Sequence, residues 1–294
     1  MKNVLQISLS ILLSYAISGY AALSIQTRHG VRTITADALP SYSLKDNFPN
    51  HCNPNAASKQ KLHFTVPVNP SYKKNAIYYR APFKFGIAIN GVPFDPEAAE
   101  YWSKDHNTPC NKNDARFHDA WPYNALSPDV NLGLDESHGH VQPNGTYHYH
   151  GLPTQLIASL PSNTMQMVGY AADGFPIYSN LGYESSYDVS SKLKKLASSY
   201  QLKAGTRPVT ANGPTGKYDG RFQSDYYYKA GSGDLDECNG KFGATPEYPK
   251  GTYFYVITDT YPFIGRCFHG IPDSSFMMSP GHHRPPLMPK QHVK

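Results

Sequence analysis

Pro143-Asn144-Gly145-Thr146-Tyr147-His148-Tyr149-His150 is the stretch on which the reading of this chain turns. Asn-Gly marks a tight turn, and the Thr- and Tyr-rich alternation that follows, closed by Gly151, predicts a strand over Thr146 to His150. Side chains at i and i+2 share a face. His148 and His150 therefore point one way, roughly 6.5 to 7 Å apart at the backbone, and Tyr147 and Tyr149 point the other. The residues just before, from His138-Gly139-His140 to Asn144, are turn formers able to fold His138 or His140 back over the strand. Imidazole is the commonest protein ligand for transition metals, and ligation by nitrogen alone suits Cu(II) and Zn(II) rather than magnesium or calcium. The expectation is a copper or zinc site made by His138, His140, His148 and His150.

The same stretch has an echo. Pro249-Lys250-Gly251-Thr252-Tyr253-Phe254-Tyr255-Val256 repeats its pattern, and Leu134-Asp135-Glu136-Ser137-His138-Gly139-His140 is matched by Leu235-Asp236-Glu237-Cys238-Asn239-Gly240-Lys241. Upstream of each block stands a further pair, Gly86-Ile87-Ala88-Ile89-Asn90-Gly91-Val92-Pro93-Phe94 and Gly169-Tyr170-Ala171-Ala172-Asp173-Gly174-Phe175-Pro176-Ile177. Two divergent copies of one unit, residues 84–167 and 168–272, would form one globule with pseudo-twofold symmetry, because stacked arrays usually need at least ~3 repeats. Residues shared by both copies serve the fold; those unique to one are free for another task. The four histidines are unique to the first copy. Asp135 and Glu136 recur as Asp236 and Glu237 and read as turn residues rather than ligands.

With 23 Tyr, 25 Pro and 23 Gly against 17% charged residues, the composition favours short strands and many turns. The predicted fold is mainly β, a sandwich or barrel-like globule with one or two peripheral helices. Helical spacing of Leu193, Leu196 and Tyr200 predicts one helix over Ser190 to Gln201, and Asp95-Pro96 predicts a short second one to Ser103. Lys and Arg are scattered despite the net charge of +5, so no stripe tracks a nucleic-acid backbone. Lys2, the apolar run Val4 to Ile17 and the small residues Gly19, Ala21 and Ala22 form a secretory signal layout, with cleavage expected after Ala21. Nothing later reaches the ~20 apolar residues of a membrane-spanning helix. In an exported chain four cysteines predict two disulfides. Three pairings are possible, and Cys52 with Cys110 and Cys238 with Cys267 is the favoured one.

These residues carry a family resemblance. Tyr147-His148-Tyr149-His150, Asn47-Phe48-Pro49-Asn50 with Asn53-Pro54-Asn55, Asn90-Gly91-Val92-Pro93, Asp173-Gly174-Phe175-Pro176-Ile177-Tyr178 and Asp236-Glu237-Cys238-Asn239-Gly240 together resemble the YHYH domain family. The resemblance covers most of the mature chain and implies an exported or lipoprotein-anchored protein, although no cysteine stands near the cleavage point to carry a lipid. The resulting layout is a signal peptide (1–21), an N-terminal segment packed on the domain (22–83), the YHYH domain (84–272) and a flexible tail (273–294).

Three functions fit these features. The first is metal binding for storage, delivery, protection or structural support. The second is a metal-dependent hydrolase or redox enzyme on the same histidines, with one coordination position open. The third is a glycan- or surface-binding module that uses exposed tyrosines such as Tyr226-Tyr227-Tyr228. His118 beside Asp119, His51 and His269 are secondary candidates. Phosphate-loop, dinucleotide and His-Glu-x-x-His motifs are absent.

Overall fold

Short runs of β-branched and aromatic residues, punctuated by Gly, Pro and Asn, become strands of two to six residues. The computed structural model describes residues 23–78, 83–98, 100–102, 110, 121–210 and 213–277. The expected signal peptide, His118 with its neighbours, and residues 278–294 of the expected tail lie outside the described residues. In chain order the strands are β1 (Ser24–Arg28), β2 (Val31–Ala36), β3 (Leu62–Pro67), β4 (Ile77–Tyr78), β5 (Gly86–Ala88), β6 (Pro93–Phe94), β7 (Gly139–Val141) and β8 (Tyr147–Tyr149). A one-turn helix α1 (Thr154–Ala158) precedes β9 (Met167–Ala171), β10 (Pro176–Tyr178), β11 (Leu181–Tyr183), β12 (Leu193–Lys195) and β13 (Tyr200–Leu202). β14 (Tyr226–Tyr228), β15 (Gly240–Gly243), β16 (Thr252–Val256) and β17 (Cys267–Phe268) complete the set. The fold is mainly β.

Eight strands form the main sheet in the order β15-β16-β10-β9-β5-β6-β8-β7. At its centre β5 and β9 run antiparallel, with Ile87 opposite Tyr170. Outward on each side come an antiparallel partner (β6 or β10), a parallel neighbour (β8 or β16) and an antiparallel edge strand (β7 or β15). The pairing order from centre to edge is therefore the same in both directions. β1, β2 and β3 form a separate antiparallel sheet.

Four tyrosines of the two matched strands β8 and β16 fill the core, while Tyr72, Tyr78, Tyr187 and Tyr227 are exposed. Tyr147, Tyr149, Tyr253 and Tyr255 are buried and pack edge-on against each other and against Phe48, Phe85 and Phe175. Their hydroxyls find partners in a matched way. Tyr147 donates to Asp135 Oδ2 (2.6 Å) and Tyr253 to Asp236 Oδ2 (2.9 Å), while the other carboxylate oxygen accepts backbone N–H groups of Ser137 and Gly139, or of Cys238 and Gly240. A Cβ at Gly139 or Gly240 would run into the Tyr147 or Tyr253 hydroxyl, so both positions need glycine. Asp135 thus serves as a turn residue.

Both disulfides form as favoured, Cys52–Cys110 and Cys238–Cys267. The N-terminal region seals one sheet edge: the Val141 carbonyl on β7 accepts the side-chain amides of Asn53 and Asn55, both at 2.9 Å, and Asn50 donates to the Gly133 carbonyl at 2.9 Å.

Two helix expectations are corrected. Ser190 to Gln201 is not helical: β12 pairs with β11, and Tyr200 begins β13, which pairs with β14. Leu193 and Leu196, three apart, satisfy a strand followed by a turn as well as a helix. Distant partners decide between them, since Lys194 and the Ala197 N–H both bind Asp234 and the Ser199 hydroxyl binds the Leu235 carbonyl. The described residues between Pro96 and Trp102 are also non-helical. Asp95 accepts the Glu97 N–H in a local turn, and Glu97 is drawn to Arg266 at 2.7 Å.

Candidate metal centre

The Asn144-Gly145 turn folds β7 back on β8 so that His140 stands directly opposite His148, while His150 follows two residues on, on the same face. Three imidazoles then meet. His148 Nε2 lies 3.0 Å from His150 Nε2, which lies 3.1 Å from His140 Nε2. The rings are mutually inclined at 64° to 83° with centroids 4.7 to 4.8 Å apart, so each directs its Nε2 to a common point. Three nitrogens held at about 2.0 to 2.1 Å by a tetrahedral zinc would be about 3.3 Å apart, close to this spacing.

The far sides of two rings are tied down. His140 Nδ1 lies 3.0 Å from the Leu132 carbonyl and His148 Nδ1 3.4 Å from that of Thr146. A carbonyl only accepts, so each Nδ1 carries the proton and each Nε2 presents a lone pair, the orientation that backbone oxygens impose on metal-binding histidines. Protonation there is disfavoured. Burial lowers the His148 pKa well below the ordinary imidazole value, reinforced by His150, His140 and Lys84. Burial also lowers that of His140, against the opposing pull of the Leu132 carbonyl, Asp95 and Asp135. Neutral imidazoles are the ligating form.

His138 is placed differently from the other three. It is the left-handed residue of the turn (φ 56°), its Nδ1 lies 2.8 Å from the Leu152 carbonyl, and its own carbonyl accepts the His150 N–H at 2.8 Å. Asn239 occupies the equivalent turn position with φ 61° and accepts from the Val256 N–H in the same way. Three of the four expected ligands converge, and the turn consumes the conformational freedom of the fourth.

Other candidates find plainer roles. His269 Nδ1 contacts the Lys73 carbonyl at 2.7 Å, and its ring stacks on Tyr72 with centroids 4.8 Å apart. Asp236 and Cys238 lie beside it, but Cys238 is bound in a disulfide and cannot ligate. His51 is near Cys52 and Cys110, whose sulfurs are likewise committed. Tyr226, Tyr227 and Tyr228 form β14; Tyr226 stacks on Tyr261 at 4.1 Å, leaving Tyr227 exposed. A cavity of about 610 Å³, lined in part by Trp102, Arg207, Lys217 and Arg221, involves none of the histidines.

Two buried residues near the histidines, Lys84 and Asp95, are not among the expected site residues, and Asp95 reads in the sequence only as a helix cap. The signal for them was available. In the alignment that pairs Gly86 with Gly169 and Phe94 with Ile177, Lys84 matches Met167 and Asp95 matches Tyr178, so neither charge recurs in the echoed stretch.

These features define a mainly antiparallel β protein in which three imidazoles converge on one face of an edge strand and its neighbour. The chain belongs to the YHYH protein family, whose profile, described as YHYH protein, matches residues 63–270. Comparison with curated proteins and with solved structures found no match. Among the described residues no helix is long and apolar enough to cross a membrane.

Proposed function

We propose that this protein is exported and binds one copper or zinc ion through His140, His148 and His150. The observation that carries this reading is the approach of three Nε2 atoms to 3.0 and 3.1 Å. His140 and His148, whose Nδ1 protons face carbonyls, both present Nε2 lone pairs beside His150 Nε2, so that a cation at the common point can be held by all three rings. Export is supported by the two disulfides and by the layout of the first 22 residues.

We also read the chain as an internal duplication. The sequence echoes, the pairing order that repeats outward from β5 and β9, and the matched Asp135–Tyr147 and Asp236–Tyr253 bonds support it. In this reading the turn and the tyrosines are the inherited scaffold. The second half carries Lys241, Phe254 and Val256 where the first carries His140, His148 and His150, with Phe254 and Val256 packed in an apolar cluster with Tyr178 and Leu196.

A second reading, a metal-dependent enzyme, draws support from the number of converging ligands. Three histidines rather than four leave a position for water or substrate, as in catalytic zinc sites.

The test is elemental mass spectrometry of the mature exported protein beside a His148→Ala, His150→Ala variant. One copper or zinc per chain in the parent and none in the variant is the expected result. A folded parent that takes up no metal at micromolar supply overturns the proposal.

A further inference from the structure

The described residues between 207 and 222 form no strand or helix, yet buried charges hold their shape. Arg207, 4% exposed, donates from Nε and Nη2 to the fully buried Asp225 carboxylate at 2.9 and 2.6 Å. Its Nη1 donates to the Thr215 carbonyl at 3.2 Å, and its Nη2 also reaches Asp219. Asp225 in turn accepts the Gly220 N–H at 3.1 Å. One guanidinium thus ties the start of the loop to its middle and its end, through charge-assisted bonds that satisfy it where it is buried.

The loop lines a cavity of about 610 Å³, within the size range of small-ligand sites. Trp102 gives it an aromatic wall, Thr210 and Thr215 give it hydroxyls, and Lys217 and Arg221 give it charge beyond that of the committed Arg207. Lys217 is exposed and pairs with no carboxylate among the described residues. Arg221 reaches Asp129 and Asp219 only at 3.5 and 3.7 Å, and its Nε is buried without a hydrogen-bond partner. The second tryptophan stands behind the loop. A Cβ at Gly213 would lie 2.9 Å from Trp121 Nε1, and Trp121 packs on Phe222 with ring centroids 5.7 Å apart. Both tryptophans of the chain are therefore at this one place.

We propose that this cavity binds an acidic saccharide, one whose sugar rings carry uronate carboxylates. A pyranose offers a C–H face to Trp102, hydroxyls to Thr210 and Thr215, and a carboxylate to Lys217 and Arg221. A bare oxyanion would leave the indole wall without a partner, and a neutral sugar would leave Lys217 without one. The site involves none of the histidines and does not depend on the metal reading.

The test follows tryptophan fluorescence of the mature protein during titration with tetragalacturonate and, separately, with its full methyl ester, at fixed pH and ionic strength. The ester keeps the rings and removes the charge. A saturable change is expected with the acid, at a concentration at least about tenfold below that needed with the ester, the equivalent of one charge-assisted hydrogen bond. Lys217→Met changes an exposed side chain with no ion pair, so it should keep the parent's thermal midpoint. It should bind the acid at least about tenfold more weakly and the ester as the parent does, and Lys217→Arg should restore the acid's advantage. Trp102→Leu should weaken acid and ester alike. Equal affinity of the parent for acid and ester overturns the proposal, as does a Lys217→Met protein with the parent's affinity for the acid. So does a parent that binds no tetragalacturonate at millimolar supply by fluorescence or by titration calorimetry.

Discussion

Removing the metal should lower the thermal midpoint by an amount that can be worked out. An ion that binds only the folded chain stabilises it by about 4.1 kcal/mol when its free concentration is about 1,000 times its dissociation constant. At about 2.1 cal/mol/K per residue, a folded unit of roughly 230 to 290 residues has an unfolding entropy of about 0.5 to 0.6 kcal/mol/K, so the midpoint should rise by about 7 to 8 °C on loading. His148→Ala removes the ligand that lies across from His140 and 3.0 Å from His150, and should abolish the rise. Scanning calorimetry of metal-free and loaded protein, parent and variant, measures it. The effect also has a pH sign. The folded-state pKa values of His140 and His148 lie below the ordinary 6.5, so the unfolded chain takes up protons first as pH falls. Metal-free stability from these groups is thus present above about pH 6.5 and is lost progressively below it, and proton competition for the ligands removes the metal contribution in the same direction. A loaded parent whose midpoint moves by less than about 1 °C, or a His148→Ala protein that shifts as far as the parent, would refute the assignment.

Two other outcomes follow from the core. Burial pushes the Asp173 carboxyl up to about 6 from an ordinary 3.8, partly offset by the Tyr255 hydroxyl and the Phe175 and Gly270 N–H groups. The folded chain therefore holds this proton over a window where the unfolded chain has released it, and stability should fall by about 3 kcal/mol as pH rises from about 4 to about 6, a limb of opposite sign to the histidine one. Urea denaturation across that range, with Asp173→Ala as the chain lacking the limb, would show it. Tyr147→Phe and Tyr253→Phe each remove the phenol donor to a turn carboxylate, and each should cost about 1.5 to 3 kcal/mol in denaturant melts. Tyr147→Phe should nevertheless keep its metal, because its hydroxyl lies on the face away from the histidines, and loss of the ion would show that the two faces are not independent.

Strand periodicity made much of the site legible. The alternation Tyr147-His148-Tyr149-His150 predicts two opposed faces, and the structure has them, with hydroxyls on one side and imidazoles on the other. Cysteine spacing gave the favoured disulfides, because each pair closes its own part of the chain. The choice between His138 and His140 was not legible, since it depends on which residue of the turn adopts positive φ; that residue is His138, and its ring is turned to Leu152. Nor was the strand pairing of residues 193–202, where apolar spacing fits both structures and the deciding partners, Asp234 and Tyr226 to Tyr228, lie more than 20 residues away. Lys84 and Asp95 reach the histidines only through the lateral stacking of β5, β6 and β8, an order the linear sequence does not state.

The asparagine clamp on Val141 bears on where this protein can be cut. The family profile begins at residue 63, yet Asn53 and Asn55, which hold the strand bearing His140 from outside, precede it. A fragment trimmed to the family boundary would retain every histidine of the centre and lose the amides that keep one of them in place. The minimal unit able to present the three imidazoles is therefore longer than the span by which the family is recognised.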